Sequence, residues 1–282
     1  MNETALRVLT WNILAAVWAG PRHYPAELPI DVLDRHRRLE LTCIALREHS
    51  GRADVVALQE VTLGDIDTLH DALGREEFSV GYVQYPEHYW AHWLDDSTPW
   101  EPNGTALLLR KETFPDVQYA SVPIGPYGNR AVIATTTTHG HTKIIAVSVH
   151  LDADDAGRRL EEWRGLLGEI STEDAARVIV CGDLNTDTSS AAMVESFASH
   201  DLRDALDEIG NYDPTHPYAR PGDGHALWAR IDHVVTRGFT SDSGRVLDRG
   251  IWGLETPAAR IEALLRATGS DHCGVEVTLH DV

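Results

Sequence analysis

The sequence predicts an α/β fold in one domain, residues 1–282, with two packed sheets flanked by helices. Three observations carry this. Apolar runs of strand length recur from one end of the chain to the other, interleaved with segments of helical period. From Phe78 to Leu151 the strands become consecutive. No internal repeat, linker or low-complexity tract divides the chain, and 282 residues with 43% hydrophobic content can bury a substantial core.

Leu6 to Asn12 alternates as a strand and is followed by an apolar turn region punctuated by Gly20-Pro21, Pro25 and Pro29. Asp34 to His49 reads as a helix, with Leu41, Ile44 and Ala45 at helical spacing and an arginine-rich opening. Asp54 to Gln59 is a short apolar strand that delivers Glu60 at its end, and a helix follows near Leu63 to Leu73. The consecutive strands are Phe78 to Tyr85, Gly104 to Arg110, Val117 to Val122, Ala131 to Thr138 and Lys143 to Val149, the later ones parted by turns at Pro126 to Asn129 and His139 to His141.

Leu160, Trp163, Leu167 and Ile170 mark the apolar stripe of the next helix, which leads into the strand from Val178. Met193 and Phe197 suggest a helix after it. Asn211 to Arg230 is a Pro/Gly/His/aromatic loop, long enough to be a functional segment. Ile231 to Thr236 is a strand, Thr256 with Pro257 opens a helix to about Ala267, and Gly274 to Leu279 is the last strand.

Charge narrows the function. With 24 Lys+Arg against 44 Asp+Glu, the formal net charge is −20, which disfavours non-specific gripping of duplex DNA through its phosphates. Cys43, Cys181 and Cys273 show no zinc or CxxC spacing and read as small core residues in a reducing compartment. Neither a basic start nor a long apolar run precedes Leu6, so the expectation is a cytoplasmic protein without a membrane span.

Several strands end in polar residues suited to metal or phosphate chemistry: Asn12, Glu60, His150, Asp183 with Asn185, and Asp232 with His233; Asp271-His272 stands just before the last strand. Any one of these is readily a turn or capping residue. Together they supply what phosphoester hydrolysis needs, namely charge neutralisation, an activated water and help for the leaving oxygen. Mg²⁺ takes hard oxygen ligands and few carboxylates, so Glu60, the Asn12 amide oxygen and Asp271 make a candidate site for Mg²⁺ or Mn²⁺. His272 is the candidate general base with Asp232 as its orienting partner, Asp183 can align the water, and Asn185 and His150 can donate to phosphate oxygens.

The segments Thr10-Trp11-Asn12, Leu58-Gln59-Glu60-Val61, Val149-His150-Leu151, Gly182-Asp183-Leu184-Asn185, Arg230-Ile231-Asp232-His233 and Ser270-Asp271-His272 resemble, in order, the signature segments of the endonuclease/exonuclease/phosphatase (DNase I-like) superfamily. The resemblance implies a four-layered α/β sandwich of two mainly antiparallel sheets, Mg²⁺ or Mn²⁺ dependence, and the residue roles just given. Many members carry Tyr where this chain has His233. Trp11 to Ala15, and Arg35 to Arg38 opening a helix into Ala53 to Val56, look like the branch that includes nocturnin, the Angel proteins and deadenylases. That branch implies single-stranded RNA, RNA ends or a nucleotide as substrate. A phosphatase or phosphodiesterase acting on a non-nucleic phosphoester, and a catalytically inactive binding module, are the alternatives.

Candidate substrate contacts are Asn103, Arg130, Trp90, Trp93, His225 and Trp228. Aromatic faces stack on bases at roughly 1 to 3 kcal/mol each, but the same rings can simply pack the core. Asp152, Asp154 and Asp155 are either a second metal cluster or an exposed loop, and Arg35, Arg37 and Arg38 read as solvated helix charge. Spacing does not address oligomeric state.

Overall fold

Alternation along the strands builds the layers. On the first strand Leu6 and Val8 face one way and Leu9 and Trp11 the other, and all four are buried, so both faces of the sheet must be covered. The computed structural model describes residues 5–20, 23–90, 94, 100–138, 143–171, 177–187, 190–218 and 227–282. The predicted His139 to His141 turn lies outside them.

In chain order the elements are β1 (Leu6–Asn12), α1 (Arg35–Ser50), β2 (Val55–Thr62), α2 (Ile66–Leu73), β3 (Phe78–Gln84), α3 (Glu87–Trp90), β4 (Asn103–Arg110), β5 (Asp116–Ile124), β6 (Asn129–Thr137) and β7 (Lys143–His150). There follow α4 (Ala156–Ser171), β8 (Arg177–Asp183), α5 (Ala191–Ser199), β9 (Arg203–Asp204), α6 (Ala205–Glu208), β10 (His216–Tyr218), β11 (Leu227–Ala229), β12 (Asp232–Arg237), β13 (Phe239–Val246), α7 (Pro257–Thr268) and β14 (Val275–Asp281). One six-stranded sheet runs β13-β14-β1-β2-β4-β3 and the other β5-β6-β7-β8-β12-β9. Both are mixed: β1 with β2 and β7 with β8 are parallel pairs inside otherwise antiparallel sheets. Among the described residues no helix is long and apolar enough to cross a membrane.

Val8, Val55, Ala57 and Leu107 of the first sheet meet Ala134, Ile144, Ala146, Ile179 and Val234 of the second in the central core. The outer face of the first sheet packs Leu9, Val56 and Leu58 against Cys43 and Leu46 of α1 and Leu69 of α2. The second packs Ile145, Val147 and Val180 against Trp163 and Leu167 of α4 and Phe197 of α5. These contacts complete the four layers that the resemblance implied.

Besides the two-residue β9, two strand features were not expected. The long loop 211–230 contains the β10–β11 hairpin, whose strands of three residues are too short to leave a periodic signal. Phe239–Val246 has the weak strand sequence FTSDSGRV and forms through pairing with β14, across a register shift between Ser241 and Ser243. The predicted start of α7 is present, with Thr256 accepting from the Ala259 amide and Pro257 in the first turn; Gly269, at φ 76°, closes the helix.

Candidate active site

Toward the carboxyl ends of the parallel pairs, the inward-facing residues change from apolar to polar. Gln59 Nε2 reaches across the sheets to Ser148 Oγ at 3.1 Å and lies 3.3 Å from Thr10 Oγ1, forming a buried polar floor. One step further stand Asn12, His150 and Asp183, with Glu60 beside them; His150 and Asp232 both pair directly with Asp183. Glu60 occupies a bulge in β2 and adopts φ 56°, a conformation that costs a non-glycine residue about 1 to 3 kcal/mol. Hydrogen bonds from Asn12 Nδ2 (2.8 Å) and the Ala15 amide (3.1 Å) hold its carboxylate in return. Gly182, at φ 153°, lets β8 pass β7 closely: a Cβ there would lie 1.9 Å from the Val149 carbonyl oxygen.

The six segments converge. His272 Nδ1 is 2.9 Å from Asp232 Oδ2, and its Nε2 is 3.8 Å from Asp183 Oδ2. The same Asp183 oxygen is 3.6 Å from His150 Nε2 and accepts from Asn12 Nδ2 at 3.1 Å. Ser270 Oγ donates to the Asn12 carbonyl and accepts the His272 amide, and Trp11 Nε1 donates to the His272 carbonyl. Thr215 Oγ1 accepts the Asp232 amide. His233 presents Nδ1 to Asp204 Oδ2 (2.6 Å) and Nε2 to the Thr186 carbonyl (2.8 Å); with acceptors on both sides it is held as an imidazolium that ties down the loop after Asp183.

Burial pushes Asp183 up to about 6, aided by the Asp232 charge. Burial alone would lower His272, but Asp232, Asp183 and Asp271 outweigh it and lift the imidazole to about 10. His150 has no such surplus, and burial takes it down to about 4, so it is neutral near pH 7. Its Nδ1 lies 3.2 Å from the Tyr85 hydroxyl, so with the hydroxyl donating, the other nitrogen is free to donate.

A hard cation suits this donor set. Asp271 Oδ1 is buried and has no hydrogen-bond partner among the described residues, while its Oδ2 accepts from the Tyr24 hydroxyl at 3.0 Å. Asn12 Oδ1 accepts the Leu14 amide at 3.0 Å, and its Nδ2 donates to Glu60 and Asp183 and orients both. Asn185 likewise spends one donor on the Leu151 carbonyl, at 2.9 Å.

The Asp152–Asp155 turn is a cap rather than a metal cluster, because Asp152 Oδ1 accepts two amides of the turn and Oδ2 accepts Tyr89. Arg38 is not solvated: it is buried and donates to the carbonyls of Leu14 and Gly269, tying the first and last segments together.

The cleft above these residues has a volume of about 240 Å³, and its walls include Leu14, Trp18, Tyr24, Trp90 and His216. A larger groove of about 490 Å³, at the opposite end of β1, is lined by polar groups that pair with each other, such as His49 with Glu276 at 3.0 Å and Arg245 with Glu276 at 2.7 Å. Trp90 lies on the cleft wall, its ring 5.0 Å from that of His150. The other described substrate candidates do not line it. Asn103 is buried and donates to the Glu101 carbonyl, the Arg130 guanidinium is held by Ser121, and Trp228 covers the Arg260 guanidinium at 3.9 Å. Trp93 and His225 lie outside the described residues. Trp18, His23 and Tyr24 are cleft residues that spacing did not assign, because they sit in an aperiodic segment; His216, one of several aromatic and histidine residues in the long loop, could equally have been substrate-facing or packing.

Residues 9–272 match the sequence model of the Endonuclease/Exonuclease/phosphatase family. No curated protein matches the sequence. Among solved structures the chain is similar to the human Nocturnin catalytic domain with bound sulfate anion, at 18% identity over 99% of this chain and 94% of that one, TM-score 0.69. It is also similar to ANGEL2, a 2',3'-cyclic phosphatase, in complex with adenosine-2',3'-vanadate (13% identity, 100% and 97%, TM-score 0.71). D. rerio TDP2 complexed with single strand DNA product is a third (17%, 99% and 100%, TM-score 0.61). At these identities the likeness is one of fold.

Proposed function

The chain belongs to the endonuclease/exonuclease/phosphatase family, whose members hydrolyse phosphoesters, and from that premise we propose a divalent-metal-dependent hydrolase acting on single-stranded RNA, RNA ends or a nucleotide. The observation that carries the reading is the His272–Asp232 pair, with His272 Nε2 turned toward Asp183 at the cleft that Glu60 and Asp271 also line. His272 Nε2 takes the proton of a water aligned by Asp183, the water oxygen bonds to phosphorus, and the bond to the leaving oxygen breaks. Asp232 fixes the tautomer and stabilises the imidazolium. His150 and Asn185 donate to the phosphate oxygens, while Asn12 orients Glu60 and Asp183. Glu60 and Asp271, with Asn12 beside them, would hold Mg²⁺ or Mn²⁺, which would neutralise phosphate charge and offset the carboxylates around His272.

Half-buried Trp18 on the cleft wall, backed by the buried ring of Trp90, supports a substrate with an aromatic base, and the net charge of −20 argues against long duplex DNA. A cytoplasmic location belongs to the same proposal, since Cys43, Cys181 and Cys273 are buried free thiols. The test is a substrate panel with Mg²⁺, Mn²⁺ or EDTA, covering single-stranded RNA, 2',3'-cyclic ends, duplex DNA, p-nitrophenyl esters and sugar phosphates. Metal-dependent cleavage of RNA or cyclic ends is expected. Exclusive release of inorganic phosphate from a sugar ester would refute the substrate assignment.

A further inference from the structure

His216 adds a nitrogen to the cleft that none of the proposed catalytic steps uses. Its ring lies 4.2 Å from that of His272 at 31°, and its Nε2 is 3.7 Å from Asp271 Oδ2. One ligand atom from each of His216, Asp271 and His272 fits within 4.8 Å of the others. The placement is built in. The neighbouring Thr215 accepts the amides of Ile231 and Asp232 on its hydroxyl and the Cys273 amide on its carbonyl, and His216 itself pairs with Ala229 in the β10–β11 hairpin.

Two imidazoles and one carboxylate are the donors of an open zinc site, whereas Mg²⁺ prefers oxygen alone. His272 also meets the usual outer requirement, because its Nδ1 is bound by Asp232, which turns Nε2 outward. The second indication is Asp271 Oδ1, buried and without a hydrogen-bond partner among the described residues.

We propose that His216, Asp271 and His272 form a site for a borderline transition-metal ion of the Zn²⁺ class, which shares Asp271 with the proposed oxygen site at Glu60 and differs from it by two imidazole nitrogens. Filling it occupies His272 Nε2, so Zn²⁺ acts as an inhibitor rather than as a cofactor. That consequence rests on the proposed function; the binding itself does not.

The test is calorimetric titration of chelator-stripped, substrate-free protein with ZnCl₂, paired with the visible absorption of the Co²⁺ form. Wild type binds one equivalent. His216→Phe keeps the ring stack but removes the nitrogen, and should weaken zinc binding by at least about 100-fold, more than loss of an outer-shell partner does. Glu60→Gln retains it, and circular dichroism confirms that both variants fold. Absence of binding to wild type, unchanged affinity in His216→Phe, or loss of binding in Glu60→Gln alone would overturn the site. Zinc binding through His216 in a protein that hydrolyses no phosphoester supports the site while removing the proposed function.

Discussion

Glu162 allows a stability prediction worked from geometry. Its side chain is fully buried, and the Tyr89 hydroxyl lies 2.5 Å from Glu162 Oε1 and 2.6 Å from Asp152 Oδ2. One hydroxyl hydrogen cannot serve two carboxylates. A proton on Glu162 completes the network: Glu162 donates to Tyr89, Tyr89 donates to Asp152, and Glu162 Oε2 accepts the Asp152 amide at 2.8 Å. Burial accordingly pushes the Glu162 carboxyl from 4.5 up to about 7.

Because the native state holds this proton more tightly than the unfolded chain, the associated stability is present below pH 4.5 and lost as pH rises to about 7. At roughly 1.4 kcal/mol per pH unit, the loss is about 3 kcal/mol. Glu162→Gln supplies the same donor and acceptor without titrating. Urea unfolding at pH 8 should therefore find the variant about 3 kcal/mol more stable than wild type, with the difference vanishing near pH 4.5. A variant less stable than wild type at pH 8, or a difference independent of pH, would refute the shared-proton network.

Two further outcomes follow from the site. Gly182→Ala would place a Cβ 1.9 Å from the Val149 carbonyl oxygen, a backbone clash that no rotamer change relieves, so thermal unfolding should show at least about 3 kcal/mol of destabilisation; a wild-type melting curve would contradict the close β7–β8 approach. Asp232→Asn preserves shape but removes the charge that orients His272 and raises its proton affinity; kcat should fall by about 10² to 10⁴ with KM little changed, the His272 limb of the pH–rate profile should move to lower pH, and an unaltered profile would count against the pair.

What was legible in the sequence was the set of strand ends. Asn12, His150 and Asp183 follow apolar runs whose period fixes both the strand and the face on which the last residue emerges, and pairing then brings them together. What spacing could not supply was direction within a side chain. The Asn12 amide is set by the Leu14 amide it must satisfy, and the Asp152 carboxylate by the start of α4, neither of which leaves a periodic trace. Arg38 looked like surface charge because its partners are carbonyls of Leu14 and Gly269, one of them 231 residues away. Arg130 and Trp228 have side chains suited to phosphate and base contacts, but each has a nearer partner than the cleft.

The most direct measurement is hydrolysis of a short single-stranded RNA in ¹⁸O-labelled water, followed by ³¹P NMR of the released phosphate ester. With Mg²⁺, one labelled oxygen per cleaved bond is expected in the phosphate product of the wild type, with none in EDTA and turnover reduced at least about 100-fold in His272→Ala. Label absent from the phosphate, or undiminished turnover in His272→Ala, would contradict the attack of a His272-activated water on phosphorus.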